Sequence, residues 1–168
     1  MWEIAATKLA GVFIGVGMDK TGNWLKKVLT KKKIPSIEEI KRSTKVLFVD
    51  DEDFSTRLNI IRGAGWNVQQ IKDVTNFDSE DIKNADIIFM DYIGVGKILT
   101  PSEEGIGLLK KIKSRYPEKF LIFYSGHAGY IPGHEFHSFA NAWIDKHSDP
   151  YVYIDQIEVA AIKKYESK

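Results

Sequence analysis

Short apolar runs alternate with amphipathic stretches from residue 45 to the end of the chain. Apolar runs of four to eight residues bounded by polar ones are typical of buried parallel strands, and apolar residues spaced three or four apart are typical of surface helices. The pattern predicts strands at 45–49, 66–74, 87–90, 120–124 and 142–145. It predicts helices at 54–63, 103–115 and 151–165, and a short helix or turn at 79–84.

Strands that alternate with helices at this short spacing indicate right-handed βαβ units. The expected fold is therefore α/β, a three-layer αβα sandwich around a five-stranded parallel sheet. In open sheets of this kind, ligands bind beyond the carboxyl ends of the strands. The residues directly after each apolar run are consequently the first place to look for chemistry.

The chain before residue 45 has a different character. Residues 1–48 carry a net charge of +6 and the remainder −5, and such asymmetry suggests two regions with different roles. We place the boundary near Ser43, with a helical N-terminal segment at 1–43 and a body at 44–168. Residues 2–33 have three interpretations: a helix packed on the body or on a second copy, a segment docked on a membrane surface, or a loose tail.

Composition excludes several classes of site. The 168 residues suit one domain, and the absence of Cys excludes disulfides and thiolate chemistry. A net charge of +1 provides no global attraction for nucleic acid, so no direct nucleic-acid partner is expected. The lack of Cys fits a cytoplasmic protein, with membrane association through the N-terminal segment as an open alternative.

Polar residues that suit phosphoryl chemistry follow four of the predicted strands. They are Asp50, Asp51, Asp91, Ser125 and Lys146. Clustered carboxylates repel one another unless a cation lies among them, and Mg²⁺ prefers such oxygen ligands. A carboxylate can accept a phosphoryl group while a cation, a hydroxyl and an ammonium stabilise its oxygens. For Asp50 and Asp51 the alternative is capping of the helix that begins near Phe54.

These residues resemble the signature of bacterial response-regulator receiver domains over about residues 45–165. The motifs are Val49-Asp50-Asp51-Glu52, Met90-Asp91, Tyr124-Ser125-Gly126 and Asp145-Lys146. The resemblance implies a flavodoxin-like fold with Asp91 as phosphoacceptor. It implies Mg²⁺ held by Asp51 and Asp91 directly and by Asp50 through water. Ser125 matches the switch hydroxyl, and Lys146 matches the lysine that contacts the aspartyl phosphate.

Two further roles and three departures come with the resemblance. Ile93 would lend its backbone carbonyl to the metal, and Trp143 matches the switch aromatic, with a packed core aromatic as the alternative. His147 follows Lys146 where the family usually has Pro. The segment from Asp91 to Gly105 is longer than usual and contains Gly94-Val-Gly96-Lys97. Trp is also bulkier than the usual Tyr or Phe.

The resemblance implies a receiver domain that takes a phosphoryl group from a histidine kinase or phosphotransfer protein onto Asp91. It would signal through contacts with a downstream protein effector, and any catalysis would be limited to phosphorylation and dephosphorylation of Asp91. The alternative is a receiver-like adaptor that works without phosphorylation. A phosphohydrolase lacks the expected second carboxylate, because Ile93 stands two residues after Asp91. Self-association through residues 2–33 is expected on the first interpretation of that segment.

Overall fold

A computed structural model describes residues 35–126 and 137–166. The expectations for residues 2–33 lie outside the described residues. The helices are α1 (Ile37–Ser43), α2 (Ser55–Gly63), α3 (Glu80–Asn84), α4 (Glu104–Arg115) and α5 (Pro150–Glu166). The strands are β1 (Lys45–Val49), β2 (Asn67–Ile71), β3 (Ile87–Asp91), β4 (Phe120–Ser125) and β5 (Ala142–Asp145). Among the described residues, no helix has the length and apolar character required to cross a bilayer.

The five strands form one parallel sheet in the order β2-β1-β3-β4-β5. This is the flavodoxin-like order, in which the chain reverses direction across the sheet between β1 and β3. Val49 pairs with Met90, Asp91 with Tyr124, and Ser125 with Asp145, so the carboxyl ends of four strands lie level with one another. The predicted five-stranded parallel αβα fold is confirmed.

Two apolar clusters cover the two faces of the sheet. Successive strand residues point to opposite faces, so Phe48 packs with α2 and α5 while Leu47 packs with α3 and α4. Both side chains are fully buried, as are most residues of β1, β3 and β4. This explains why these strands appear in the sequence as continuous apolar runs.

Helix α1 packs with the sheet. Ser36 and Glu39 form a reciprocal capping box at its start, and Ile40 is buried in the same cluster as Phe48. Residues 35–43, which we assigned to the N-terminal segment from their sequence, thus contribute Ile40 to the core beside the sheet. The boundary near Ser43 stays a prediction.

Candidate functional site

The sheet brings the predicted site residues to one edge. Asp50 follows β1, Asp91 ends β3, Ser125 ends β4 and Lys146 follows β5. Asp50, Asp91, Ser125 and Lys146 are all buried. Because their strands end at the same level, residues that are far apart in the chain become neighbours.

The Lys146 ammonium lies among three carboxylates. Its Nζ donates to Asp91 Oδ2 at 2.6 Å and to Asp50 Oδ1 at 3.1 Å. It also lies 2.8 Å from Glu52 Oε2, whose side chain is largely exposed. The replacement of Pro by His147 after the lysine therefore does not keep the amine away from Asp91.

The environment perturbs the acid–base properties of this pair. Burial raises the pKa of Asp91 to about 6, and the negative charge of Asp50 adds to the rise, whereas the hydrogen bond from Lys146 opposes it. Burial alone would lower the pKa of Lys146, but its bonds to Asp91, Glu52 and Asp50 outweigh burial and raise it. The lysine consequently stays protonated and the cluster keeps a fixed positive charge.

A divalent cation would be held by Asp50, Asp51 and Asp91. Carboxylate oxygens of these three residues lie within 4.8 Å of one another. This donor set fits Mg²⁺, a hard cation that takes oxygen ligands and retains several waters. The cluster opens into a cleft of about 330 Å³, and Ile93, whose side chain points partly to solvent, lines it.

Ser125 and Trp143 have different surroundings. Ser125 lines the same cleft as Asp91 and Lys146, and its backbone carbonyl accepts the N–H of Lys146 at 3.0 Å. Trp143 is half-buried and packs against the apolar cluster that contains Phe123. Its indole Nε1–H is buried without a hydrogen-bond partner among the described residues. The roles of both residues as switch groups stay predictions.

The sequence analysis missed Tyr124 as a site residue. This tyrosine is fully buried, and its hydroxyl donates to Asp50 Oδ2 at 2.7 Å. Burial and the charge of Asp50 raise the pKa of Tyr124 well above its usual value, so it remains a donor. A tyrosine as the last residue of an otherwise apolar run was the one available signal, because a buried phenol usually finds a polar partner.

The backbone carbonyl of Lys146 is held by two side chains that the sequence analysis also missed. Tyr153 donates to it at 2.9 Å, and Arg57 donates to the same oxygen. Arg57 also donates to the Tyr153 hydroxyl at 3.0 Å, and its guanidinium lies over the rings of Phe54 and Tyr153. These contacts fix the backbone from which the Lys146 side chain reaches the carboxylates.

We expect Tyr153→Phe to lower the free energy of unfolding by about 1–2 kcal/mol, because both bonds of a buried hydroxyl are lost. Urea denaturation measures the change. Tyr151→Phe is the matched control, since Tyr151 is 62% exposed one half-turn earlier in α5, and it should leave stability within about 0.5 kcal/mol of the wild type. Equal stability of the two variants would contradict the hydrogen bonds to Lys146 and Arg57.

No protein-family model matches the sequence, and a search of curated proteins found no match. Solved structures give a clear likeness. A response regulator receiver domain protein (CheY-like) from Methanospirillum hungatei JF-1 superposes with a TM-score of 0.58 at 18% identity, covering 74% of this chain and 98% of the other. A response regulator receiver domain protein from Clostridium thermocellum superposes with a TM-score of 0.58 at 19% identity. The superposition covers 74% of this chain and 99% of the other.

A third structure, the receiver domain of response regulator 1452 from Francisella, gives a TM-score of 0.54 at 18% identity and covers 71% of this chain and 98% of the other. All three are aligned over almost their entire length. At this level of identity the comparison concerns the fold. The chain has the fold of response-regulator receiver domains.

Proposed function

We propose that the protein is a phosphoacceptor receiver domain that takes a phosphoryl group from a phosphohistidine onto Asp91. The observation that carries the proposal is the convergence at one sheet edge. Asp50, Asp51 and Asp91 cluster within 4.8 Å, and the Lys146 ammonium bonds Asp50 and Asp91. Receiver-like solved structures support the same role.

In the proposed reaction, a carboxylate oxygen of Asp91 attacks phosphorus and the bond from phosphorus to the donor imidazole breaks. The imidazole leaves with the electron pair and takes a proton from solvent. Bound Mg²⁺ would supply charge neutralisation for the transferring phosphoryl oxygens. Lys146 would stabilise one of those oxygens, and the Ser125 hydroxyl would donate to another. Attack of water at phosphorus then returns Asp91 and inorganic phosphate.

We propose that the phosphoryl donor is a histidine kinase or phosphotransfer protein, and that a downstream protein effector reads the phosphorylated surface around Ser125 and Trp143. Bound phosphate would favour one of two arrangements of that surface. A cytoplasmic location fits this role.

Self-association or membrane-surface docking through residues 2–33 is a separate proposal from the sequence alone.

One specific observation favours a phosphorylation-independent adaptor as the second candidate. Each oxygen of the Asp91 carboxylate already accepts a bond within the protein, Oδ1 from the N–H of Tyr92 at 2.7 Å and Oδ2 from Lys146 at 2.6 Å. An adaptor would keep these bonds permanently. The experiment below separates the two candidates.

We expect the full chain to gain one phosphoryl group when it is incubated with acetyl phosphate and Mg²⁺, as measured by intact mass. Asp91→Asn should abolish the gain, because an amide oxygen is a poor nucleophile, and EDTA should suppress it. Asp155→Asn, at an exposed position on α5, is the matched control and should be phosphorylated like the wild type. If the wild type gained no phosphoryl group at any acetyl phosphate concentration, the result would favour the adaptor. If Asp91→Asn still gained one, Asp91 would be excluded as the acceptor.

A further inference from the structure

Residues 93–97, which we call the 93–97 loop, contact the acidic cluster. Val95 is fully buried in the apolar cluster and anchors the loop. Gly94 and Gly96 have φ angles of +91° and +77°, and a Cβ on Gly94 would lie 2.2 Å from Asp51 Oδ1. The loop backbone therefore lies directly on the Asp51 carboxylate, and the positive φ of Gly94 favours glycine there.

A carboxylate outside the proposed metal site fixes the loop's last residues. Asp73, which follows β2, accepts the N–H of Gly96 at 2.5 Å and the N–H of Lys97 at 3.2 Å. Since one side chain binds two successive amides, the direction in which the Lys97 side chain leaves the backbone is set. From this backbone the Lys97 side chain reaches Asp51, with its Nζ 3.5 Å from Asp51 Oδ2.

The two lysines at the cluster are placed differently. Lys146 is buried between Asp50 and Asp91. Lys97 has a side chain that is 64% exposed, and it contacts Asp51, whose side chain is 38% exposed. Asp51 is thus the partly exposed carboxylate of the cluster, and Lys97 contacts it from the solvent side.

We propose that Lys97 is an internal counter-ion that competes with a divalent cation for Asp51 and thereby weakens the affinity of the site for that cation. The proposal rests on the proposed function, because it concerns the same three carboxylates. An ammonium and a divalent ion on one carboxylate repel each other, so binding of the ion requires the Lys97 side chain to move into solvent. Its exposure makes that movement feasible, whereas Lys146 stays bonded.

The test is divalent-ion binding by the full chain, followed by the electron paramagnetic resonance signal of free Mn²⁺, with Mg²⁺ as competitor. We expect Lys97→Gln to bind Mn²⁺ about three- to fivefold more tightly than the wild type, because the ion no longer has to displace an ammonium from an exposed ion pair with Asp51. Lys97→Arg keeps the charge and should stay near the wild type. Lys111→Gln removes the same charge from an exposed position on α4 and should change the dissociation constant less than about twofold.

The outcomes separate the two proposals. Equal or weaker binding by Lys97→Gln, with saturable wild-type binding that Asp51→Asn abolishes, overturns the role of Lys97 and leaves the metal site intact. Absence of saturable binding in both the wild type and Lys97→Gln overturns the metal site and the inference together. If Lys111→Gln bound Mn²⁺ more tightly than the wild type, and to the same extent as Lys97→Gln, the net charge of the protein alone would set the affinity. That result also overturns the inference.

Discussion

Lys146→Met should lower the free energy of unfolding by about 3–5 kcal/mol in buffer without divalent cations, the usual cost of removing one partner from a buried ion pair. The Lys146 ammonium is the cation closest to two buried carboxylates, at 2.6 Å from Asp91 and 3.0 Å from Asp50. Methionine keeps most of the side-chain volume and removes the charge. Asp50 and Asp91, which are both buried, would then repel each other with no ammonium between them. Urea denaturation followed by tryptophan fluorescence measures the loss.

Two comparisons test this cause. Lys97→Met removes the other lysine of the cluster, but that lysine is mostly exposed, so stability should change by less than about 1 kcal/mol. Adding Asp91→Asn to Lys146→Met should restore part of the lost stability, because one of the two repelling charges is gone. A loss below about 1 kcal/mol for Lys146→Met would contradict the placement of the ammonium between Asp50 and Asp91.

Saturating Mg²⁺ should reduce the difference in free energy of unfolding between Lys146→Met and the wild type. An ion that binds only the folded state would stabilise each protein by an amount that grows with the logarithm of its affinity. Without the lysine charge the cluster attracts the ion more strongly, and the variant gains more from it. Equal stabilisation of both proteins by Mg²⁺ would mean that the ion does not bind at the carboxylates that contact Lys146.

The fold was predictable because its signals are local. The apolar runs of β1 and β3, the spacing of α4 and the short connections between them each specify an element without reference to the rest of the chain. The largest deviation is β2, which we predicted at 66–74 and which spans Asn67–Ile71. The apolar residues on either side of it, Trp66 and Val74, are buried although they lie outside the strand. Because they are apolar, the sequence pattern predicted a longer strand than the structure has.

The position of the acidic cluster was predictable for a related reason. Once strands are parallel, the residues that follow them meet at one edge, and the sequence alone thus brings Asp50, Asp91 and Lys146 together. The helix-capping alternative for Asp50 and Asp51 is not realised, because the N-cap of α2 is Phe54 and no side chain caps that helix. This leaves the Asp50 side chain available for Lys146 and Tyr124.

The supporting contacts were not predictable from the sequence. Arg57 and Tyr153 lie 96 positions apart, and each occupies an ordinary position on an amphipathic helix. Lys97 reaches Asp51 from a loop whose backbone is held by Asp73. Such contacts depend on how elements pack and on where a loop turns, and neither hydrophobic periodicity nor motif spacing contains that information.

Gly105→Ala should destabilise the protein by about 2–4 kcal/mol, a large effect for one methyl group, since overpacking usually costs 1–3 kcal/mol. Gly105 lies in the first turn of α4, where its N–H bonds the carbonyl of Tyr92 at 3.1 Å. A Cβ at this position would lie 1.9 Å from the backbone oxygen of Asp91. The obstacle is backbone rather than a flexible side chain, so α4 or the end of β3 must move. Thermal and urea unfolding measure the cost.

Gly63→Ala is the matched control for this substitution. Gly63 ends α2, its φ is not positive, and a Cβ there would meet nothing within 4 Å. The same methyl group should therefore stabilise the protein by about 0.4–1 kcal/mol, because alanine restricts the unfolded chain and favours helix. If Gly105→Ala behaved like Gly63→Ala, α4 would not begin against Asp91. The helix start and the proposed phosphoacceptor would then be structurally independent of each other.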